Sequence, residues 1–441
     1  MSRALFEQAA QWVTEVRPLE SAGQVRRVTG LVIEATCPPV FIGELCYLEN
    51  ERLAEPLPCE VIGVQGDSAL LMPYDYCSDI RVGTRVRCTG RGFTLPLHAG
   101  WLGRVVDALG RPLDGLGELP RGPEYAVDRP APSPLARPRI TEKIASGVKA
   151  LDAFCTWGKG QRLGVMAGSG VGKSTLFGMI ARNAASDINV IGLIGERGRE
   201  VKEFIERDLG VEGLKRSVVV AVPSDQSPLL RVKGAQAAFA IAEFFRDQGS
   251  DVLLMIDSLT RFAYAMREVG LSLGEPPATR GYTPSVYAAI PRLCERAGMT
   301  EHGSITALLT VLVEGDDHNE PVADIARSVL DGHIVLSRRL MTSGQLPAVD
   351  VLESISRVMS DVVEPDHLSL AQWARGIMST YREAEDLINI GAYQVGNNPR
   401  IDQAIRHIEH LRSFLRQGIF EKVEYAQSLA GLRAVMDERA L

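Results

Sequence analysis

Residues 163–175, LGVMAGSGVGKST, constrain this chain more than any other stretch. Leu163, Val165 and Met166 read as a short buried strand. Gly168, Gly170 and Gly172 follow, then Lys173, Ser174 and Thr175, then the helix-periodic Leu176, Phe177, Met179 and Ile180. Strand, glycine loop and helix form the setting that the phosphate-binding pattern G-x-x-x-x-G-K-[ST] requires. Glycines let successive backbone N–H groups turn in around a phosphate, and the helix start adds unpaired donors and partial positive charge. Residues Ala167, Gly168, Ser169, Gly170, Val171, Gly172, Lys173, Ser174 and Thr175 are therefore expected to cradle a nucleoside triphosphate. Lys173 would reach the β- and γ-phosphates, and the Ser174 hydroxyl would sit on Mg²⁺. The first position of the pattern is Ala167 rather than glycine, which is tolerable where the backbone keeps a negative φ. A plain glycine-rich turn with a solvated lysine would leave the flanking strand and helix unexplained.

A buried strand feeding such a loop calls for a parallel sheet covered on both faces, and residues 140–337 supply one. Nearly all-apolar strands are expected at 163–166, 189–194, 217–222, 252–256, 305–313 and 333–336. Helices are expected at 174–184, 200–209, 228–247, 259–269 and 284–297, the third opened by Ser227 as N-cap and Pro228 at the first turn. The remainder divides into four further parts. Residues 1–21 read as an amphipathic helix, with Leu5, Ala9, Trp12 and Val16 on one stripe, Phe6 exposed nearby and Pro18 as the stop. Residues 22–92 read as short alternating strands with a hairpin at Gly66-Asp67, the pattern of a small closed β-barrel. Residues 93–139 are rich in Gly and Pro and read as a surface linker, ordered because Trp101, Leu102, Val105 and Val106 give it something to bury. The α/β core runs over 140–359, and residues 360–441 carry helical periodicity at 368–385, 399–416 and 420–438, a small helical bundle.

Composition closes off several function classes. A chain of 441 residues is too long for one core. The formal net charge of −7 argues against a general nucleic-acid binder. Seven cysteines without a C-x-x-C pair imply neither a zinc finger nor a disulfide framework, which suits a reducing cytosol. Of the histidines only His407 and His410 have helical spacing, and an exposed helix face is expected for them. No apolar run approaches eighteen residues, so a soluble protein is expected, with any membrane contact peripheral.

A phosphate-gripping lysine needs a metal-holding acid and a group that positions water. Asp257 ends the run VLLMID, at the carboxyl edge where doubly wound sheets bind ligands. It suits the metal-side carboxylate, although an N-cap for the next helix would occupy the same place. Glu196 follows VIGLIG and emerges at the same edge, where a carboxylate can orient or deprotonate attacking water. Arg197, Arg199 and Glu200 follow, and one of them is expected to pair with Glu196.

The segments ITEKIASGVKALDAFCTWGKGQRLGVMAGSGVGKST, IGLIGERGREVKEF, VLLMIDSLTRFAYAMRE, GEPPATRGYTPSVYAAIPRLCERAG, EGDDHNEPVADIARSVLDGHIVLSR and PAVDVLESISR resemble the rotary-type ATPase family. That family includes the catalytic β subunit of F-type ATP synthase and the type III protein-export ATPases. The resemblance runs from about Thr29 to the C-terminus and is strongest over 139–357; the loop GSGVGKS is similar to the flagellar branch. It implies a RecA-like P-loop ATPase core that hydrolyses ATP with Mg²⁺. Within it, Glu196 would be the general base, Arg197 its phosphate-sensing neighbour, and Ser174 and Asp257 the metal residues. Arg357, in SISR, matches an arginine finger that reaches the adjacent subunit, so a homohexameric ring is implied. Leu346 stands where the synthase subunit has an adenine-stacking tyrosine, leaving Phe420, Phe414 or Tyr393 to supply a ring.

The resemblance further implies that the loop 270–283 faces a central hole holding a coiled-coil stalk protein or an export substrate. Other implied partners are a regulatory stator-like protein on the N-terminal helix, an export gate and chaperone–substrate complexes, at the cytoplasmic side of the inner membrane. Three competing readings share parts of this pattern. A virulence-injectisome ATPase differs only in cargo, a transcription-termination helicase would need RNA, and a non-enzymatic ring subunit would lack Glu196.

Overall fold

The computed structural model describes residues 22–313 and 320–437. The helix expected over 2–20, with Phe6 and Trp12, lies outside them. The described residues contain a barrel and a larger α/β unit with a helical C-terminus.

The barrel is built from β1 (Ala22–Thr29), β2 (Val32–Thr36), β3 (Glu44–Glu49), β4 (Leu57–Gln65), β5 (Ser68–Pro73) and β6 (Arg85–Gly92). All pairings are antiparallel, and the sheet closes in the order β1-β2-β5-β4-β3-β6. Closure removes the exposed strand edges that a sheet this small would otherwise carry. Alternation puts Val25, Ile33, Leu48, Val61, Leu71 and Val86 inside. The expected hairpin joins β4 to β5, with Gly66 at φ 57 and Gln65 opposite Ser68.

The larger unit centres on a mostly parallel sheet. Its strands are β7 (Val105–Val106), β8 (Arg162–Ala167), β9 (Ile188–Ile194), β10 (Ser217–Val222), β11 (Asp251–Asp257), β12 (Ser304–Leu312), β13 (Gly332–Leu336) and β14 (Val349–Ser356). They lie in the order β14-β13-β8-β12-β11-β9-β10-β7, and only β14 runs antiparallel to its neighbour on this path. Near-continuous burial along β8 to β12 is what a sheet covered on both faces requires. Each expected strand is present to within about two residues.

Two segments differ from their sequence reading. The stretch read as a linker contributes β7, an edge strand whose two residues are too few to show a period. Its loop is tied down by Trp101, 1% exposed with Nε1 donating to the Pro120 carbonyl, and by a bidentate Arg104–Asp114 pair at 2.7 and 2.9 Å. The Arg104 guanidinium holds the Asp114 carboxyl at a pKa of about 2. The helix expected at 200–209 is α-helical only over Gly198–Glu203, then widens into π turns over Phe204–Leu209. That widened segment presses on the helix after the glycine loop, where a Cβ on Gly178 would come within 2.6 Å of the Asp208 carbonyl.

Helices α1 (Lys149–Phe154), α2 (Lys173–Asn183), α3 (Pro228–Arg246) and α4 (Leu259–Ser272) serve the site. Ser227 caps α3 as its sequence indicates, accepting from Leu230 N at 3.1 Å. At the C-terminus, α5 (Pro365–Asn389), α6 (Pro399–Leu415) and α7 (Tyr425–Asp437) pack through Leu370, Ile408, Leu411 and Leu432 onto the same core as Leu151 and Phe154 of α1. His407 is not on an exposed face: it is buried, its ring edge-on to Trp373 at 5.2 Å, while His410 is exposed.

Asp152 in α1 gives a test of this core. Burial pushes its carboxyl up to about 6 despite donation from Ser146 N, Ser146 Oγ and Gly147 N. A raised carboxyl favours folding most below the unfolded value near 4, and that contribution is lost as pH rises through about 6. Ser146→Ala removes a donor that matters most to the ionised form. We expect it to cost about 1.5–3 kcal/mol at pH 7.5 and markedly less at pH 5, read from urea unfolding midpoints. Equal losses at both pH values would contradict this assignment.

Candidate active site

The site lies at the carboxyl edge of the parallel strands. β8 ends at Ala167, which is extended and buried beside Leu312 and Leu336, so a side chain at the first pattern position is accommodated within the strand. The chain then turns through Gly170 at φ 74 and Gly172 at φ 88, the latter capping α2. A Cβ at either would meet nothing within 4 Å, so the left-handed backbone and not crowding demands glycine there. Val171 is buried and anchors the loop from beneath, whereas Ser169, Gly170 and Ser174 face outward and Gly168 and Thr175 are half-buried.

Lys173 opens α2 and points back to the sheet. Its ammonium bonds to the Asp257 carboxylate and lies 3.4 Å from Glu196 Oε1. Burial works against the ammonium, but the Asp257 and Glu196 charges outweigh it and hold its pKa above the ordinary lysine value. Asp257 ends β11 and also accepts from Thr310 Oγ1 at 2.8 Å. Burial dominates there, pushing the carboxyl up against the opposing pull of Lys173.

Glu196 follows β9 through Gly195, at φ 73. A Cβ on Gly195 would stand 2.8 Å from Arg261 Cδ, so glycine is what lets Arg261 approach. Arg261, in α4, donates to Glu196 from Nε at 3.2 Å and from Nη2 at 3.5 Å. The expected pairing of Glu196 with its chain neighbours is therefore corrected. Arg197 pairs with Glu200 at 3.5 Å and Arg199 with Glu203 at 3.0 Å, and both arginines are largely exposed. The partner comes from α4 because that helix starts at the same sheet edge, just after Asp257.

Arg338 was not singled out by sequence reasoning. Its Nη2 donates to the Ser169 carbonyl at 3.1 Å, placing a second cation beside the loop. The available signal was a pair of arginines one residue after β13, whose carboxyl end lies next to that of β8.

Arg357 is not brought to this cluster. It follows β14, the antiparallel strand, whose Ser356 pairs with Gly332 at the start of β13. That is the amino edge of the parallel strands, four residues of β8 or roughly 13 Å below the loop. The Arg357 backbone N–H donates to Asp331 at 2.9 Å and Nη2 to the Arg327 carbonyl at 3.0 Å. The exposed guanidinium cannot serve the glycine loop of its own chain.

Among the candidate rings, Tyr393 is bonded through its hydroxyl to Asp402 at 2.7 Å, and Phe414 packs on the core. Phe420 is 73% exposed, with the Arg182 guanidinium of α2 lying 5.0 Å from its ring centre. Leu346 is also exposed, and its carbonyl accepts from Gln417 N at 2.8 Å. The arrangement offers backbone amides and Lys173 for phosphates, Ser174 and Asp257 as hard oxygen donors of the kind Mg²⁺ prefers, and a carboxylate fixed between two cations.

The chain is similar to known proteins along most of its length. The family model "ATP synthase alpha/beta family, nucleotide-binding domain" matches residues 147–356, and the beta-barrel domain of the same family matches 25–90. The "T3SS EscN ATPase C-terminal domain" matches 363–434. The flagellum-specific ATP synthase of Bacillus subtilis is 52% identical over 94% of each chain. The assembled ATPase EscN of the enteropathogenic E. coli type III secretion system superposes with a TM-score of 0.88 at 42% identity, covering 94% of this chain and 99% of that one. The EscN structure in complex with its central stalk EscO gives 0.87 at 41% identity, with the same coverage.

Proposed function

The chain belongs to the ATP synthase alpha/beta family and is an ATPase of its type III export branch, and we propose that it works as a homohexameric ring energising flagellar protein export. The observation that carries the reading is the Lys173 ammonium set between Glu196 and Asp257 at the foot of the glycine loop. Backbone amides of 168–174 and Lys173 grip the triphosphate. Ser174 and Asp257 would hold Mg²⁺, which when bound draws charge from the β- and γ-phosphate oxygens. Glu196, held in place by Arg261, orients a water for in-line attack and takes its proton. Arg197 is assigned to sensing the γ-phosphate, and Arg357 to the site of the adjacent subunit. Export substrates, a coiled-coil stalk at loop 270–283, an export gate and a stator-like partner at residues 2–20 complete the proposed assembly. The assembly would attach peripherally at the inner membrane; no described helix is long and apolar enough to cross a membrane.

Phe420 is the ring we assign to the adenine. Base–aromatic stacking is worth about 1–3 kcal/mol, so Phe420→Ala is expected to raise KM for ATP roughly 10-fold with kcat nearly unchanged. An unaltered KM would remove Phe420 from the site.

ATP hydrolysis measured against protein concentration tests the ring. A site completed by a neighbour gives a sigmoidal rise in specific activity; a flat profile down to verified monomers would overturn it. The likeness to EscN supports a virulence injectisome as the second reading, with the same chemistry and different cargo. The genes flanking this one distinguish the two.

A further inference from the structure

One end of the β-barrel carries a cluster of soft and acidic ligands that nucleotide chemistry does not use. Cys46 on β3 is paired directly with Cys88 on β6, and one carboxylate oxygen of Glu44 and both of these sulfurs lie within 4.8 Å of one another. Cys37, just after β2, packs on the same barrel core as Cys88 but lies outside this set of three. Cys46 is fully buried and Glu44 is 2% exposed, whereas Cys37 and Cys88 are half-buried and give access from solvent. Cys59, opposite Cys46 on β4, is turned to the Cys46 carbonyl at 3.4 Å and stands outside the cluster.

Glu44 decides between a packing role and a binding role. Buried thiols alone would be small hydrophobes filling the end of a barrel. A buried carboxylate is different, because burial without a counter-charge is costly. No cation among the described residues pairs with Glu44. Its two oxygens accept instead from Gly90 N at 2.8 Å and Phe41 N at 3.3 Å, contacts that fix the carboxylate toward the thiols and leave its remaining lone pairs free. Backbone donors that orient a carboxylate in this way are the outer support typical of metal ligands.

We propose that Cys46, Cys88 and Glu44 form a binding site for one divalent ion of the zinc class at the end of the barrel, with a fourth position left to water. Two sulfurs, one carboxylate oxygen and a water match the tetrahedral preference of that ion. Tetrahedral zinc sets its sulfurs about 3.8 Å apart, so closure needs at most roughly an ångström of side-chain movement. Binding releases the thiol protons to solvent and leaves thiolates on the metal. The ion would cross-link β3 and β6. The site is independent of the nucleotide reading.

The test uses the full chain, freed of metal by chelation, kept reduced, and titrated with Co²⁺ and then Zn²⁺ without nucleotide or Mg²⁺. One equivalent of Co²⁺ is expected to give an intense near-ultraviolet sulfur-to-cobalt band with tetrahedral visible absorption, both bleached by Zn²⁺. Cys88→Ser, or Cys46→Ser should that variant fold poorly, is expected to keep the wild-type ATPase rate, lose most of the band and bind at least about 100-fold more weakly. Glu44→Gln should keep the band with weaker binding, and Cys77→Ser should change nothing. Absence of the band at one equivalent, or an undiminished band in both Cys88→Ser and Cys46→Ser, would overturn the proposal.

Discussion

Glu196→Gln is expected to lower ATP turnover by about 10³-fold or more while nucleotide affinity stays within a few-fold. Glutamine has nearly the same shape, so the contacts that place residue 196 between Lys173 and Arg261 are largely retained. It cannot accept the proton of the attacking water, and it withdraws the charge that orients that water. The loss therefore falls on kcat, with KM little changed, the signature of a group needed only in the transition state. Steady-state turnover together with the affinity for a fluorescent nucleotide checks both halves. A variant hydrolysing at the wild-type rate would take Glu196 out of the chemistry.

Arg357→Ala should be comparably damaging for a different reason. An arginine finger is worth about 10³–10⁵ in turnover. Nothing in its own chain's glycine loop is within reach of Arg357, so a variant confined to local packing should change activity little. If Arg357 completes the site of a neighbour, turnover collapses by roughly 10³-fold while each chain still binds nucleotide and still assembles. Size-exclusion profiles with and without ATP, run beside the activity assay, separate lost catalysis from lost assembly. Retained activity in assembled rings would remove the finger assignment.

Much of this molecule was legible in the sequence because its strongest signals are local. The strands around Val190, Val219, Leu254 and Leu308 are apolar on both faces, which only a covered parallel sheet can use. Lys173, Asp257 and Glu196 were singled out because each lies at, or one short loop beyond, the carboxyl end of a strand, and those ends converge on one edge. What escaped depends on distant neighbours. Arg261 and Arg338 look like ordinary helix-surface residues until α4 and the end of β13 are placed beside the loop. Val105–Val106 is too short to declare a strand before β10 offers it an edge. His407 has the spacing of an exposed face, but the Trp373 ring on α5 covers it.

Completion of the site in trans is tested most directly by mixing two inactive proteins. Glu196→Gln chains supply an intact Arg357, and Arg357→Ala chains supply an intact Glu196. In randomly mixed rings about a quarter of the interfaces would combine both intact groups. The mixture is then predicted to hydrolyse ATP well above either variant alone, with a rate that rises as subunits exchange and peaks near equal proportions. A mixture no more active than its separate components, with co-assembly verified, would contradict a site shared between neighbours.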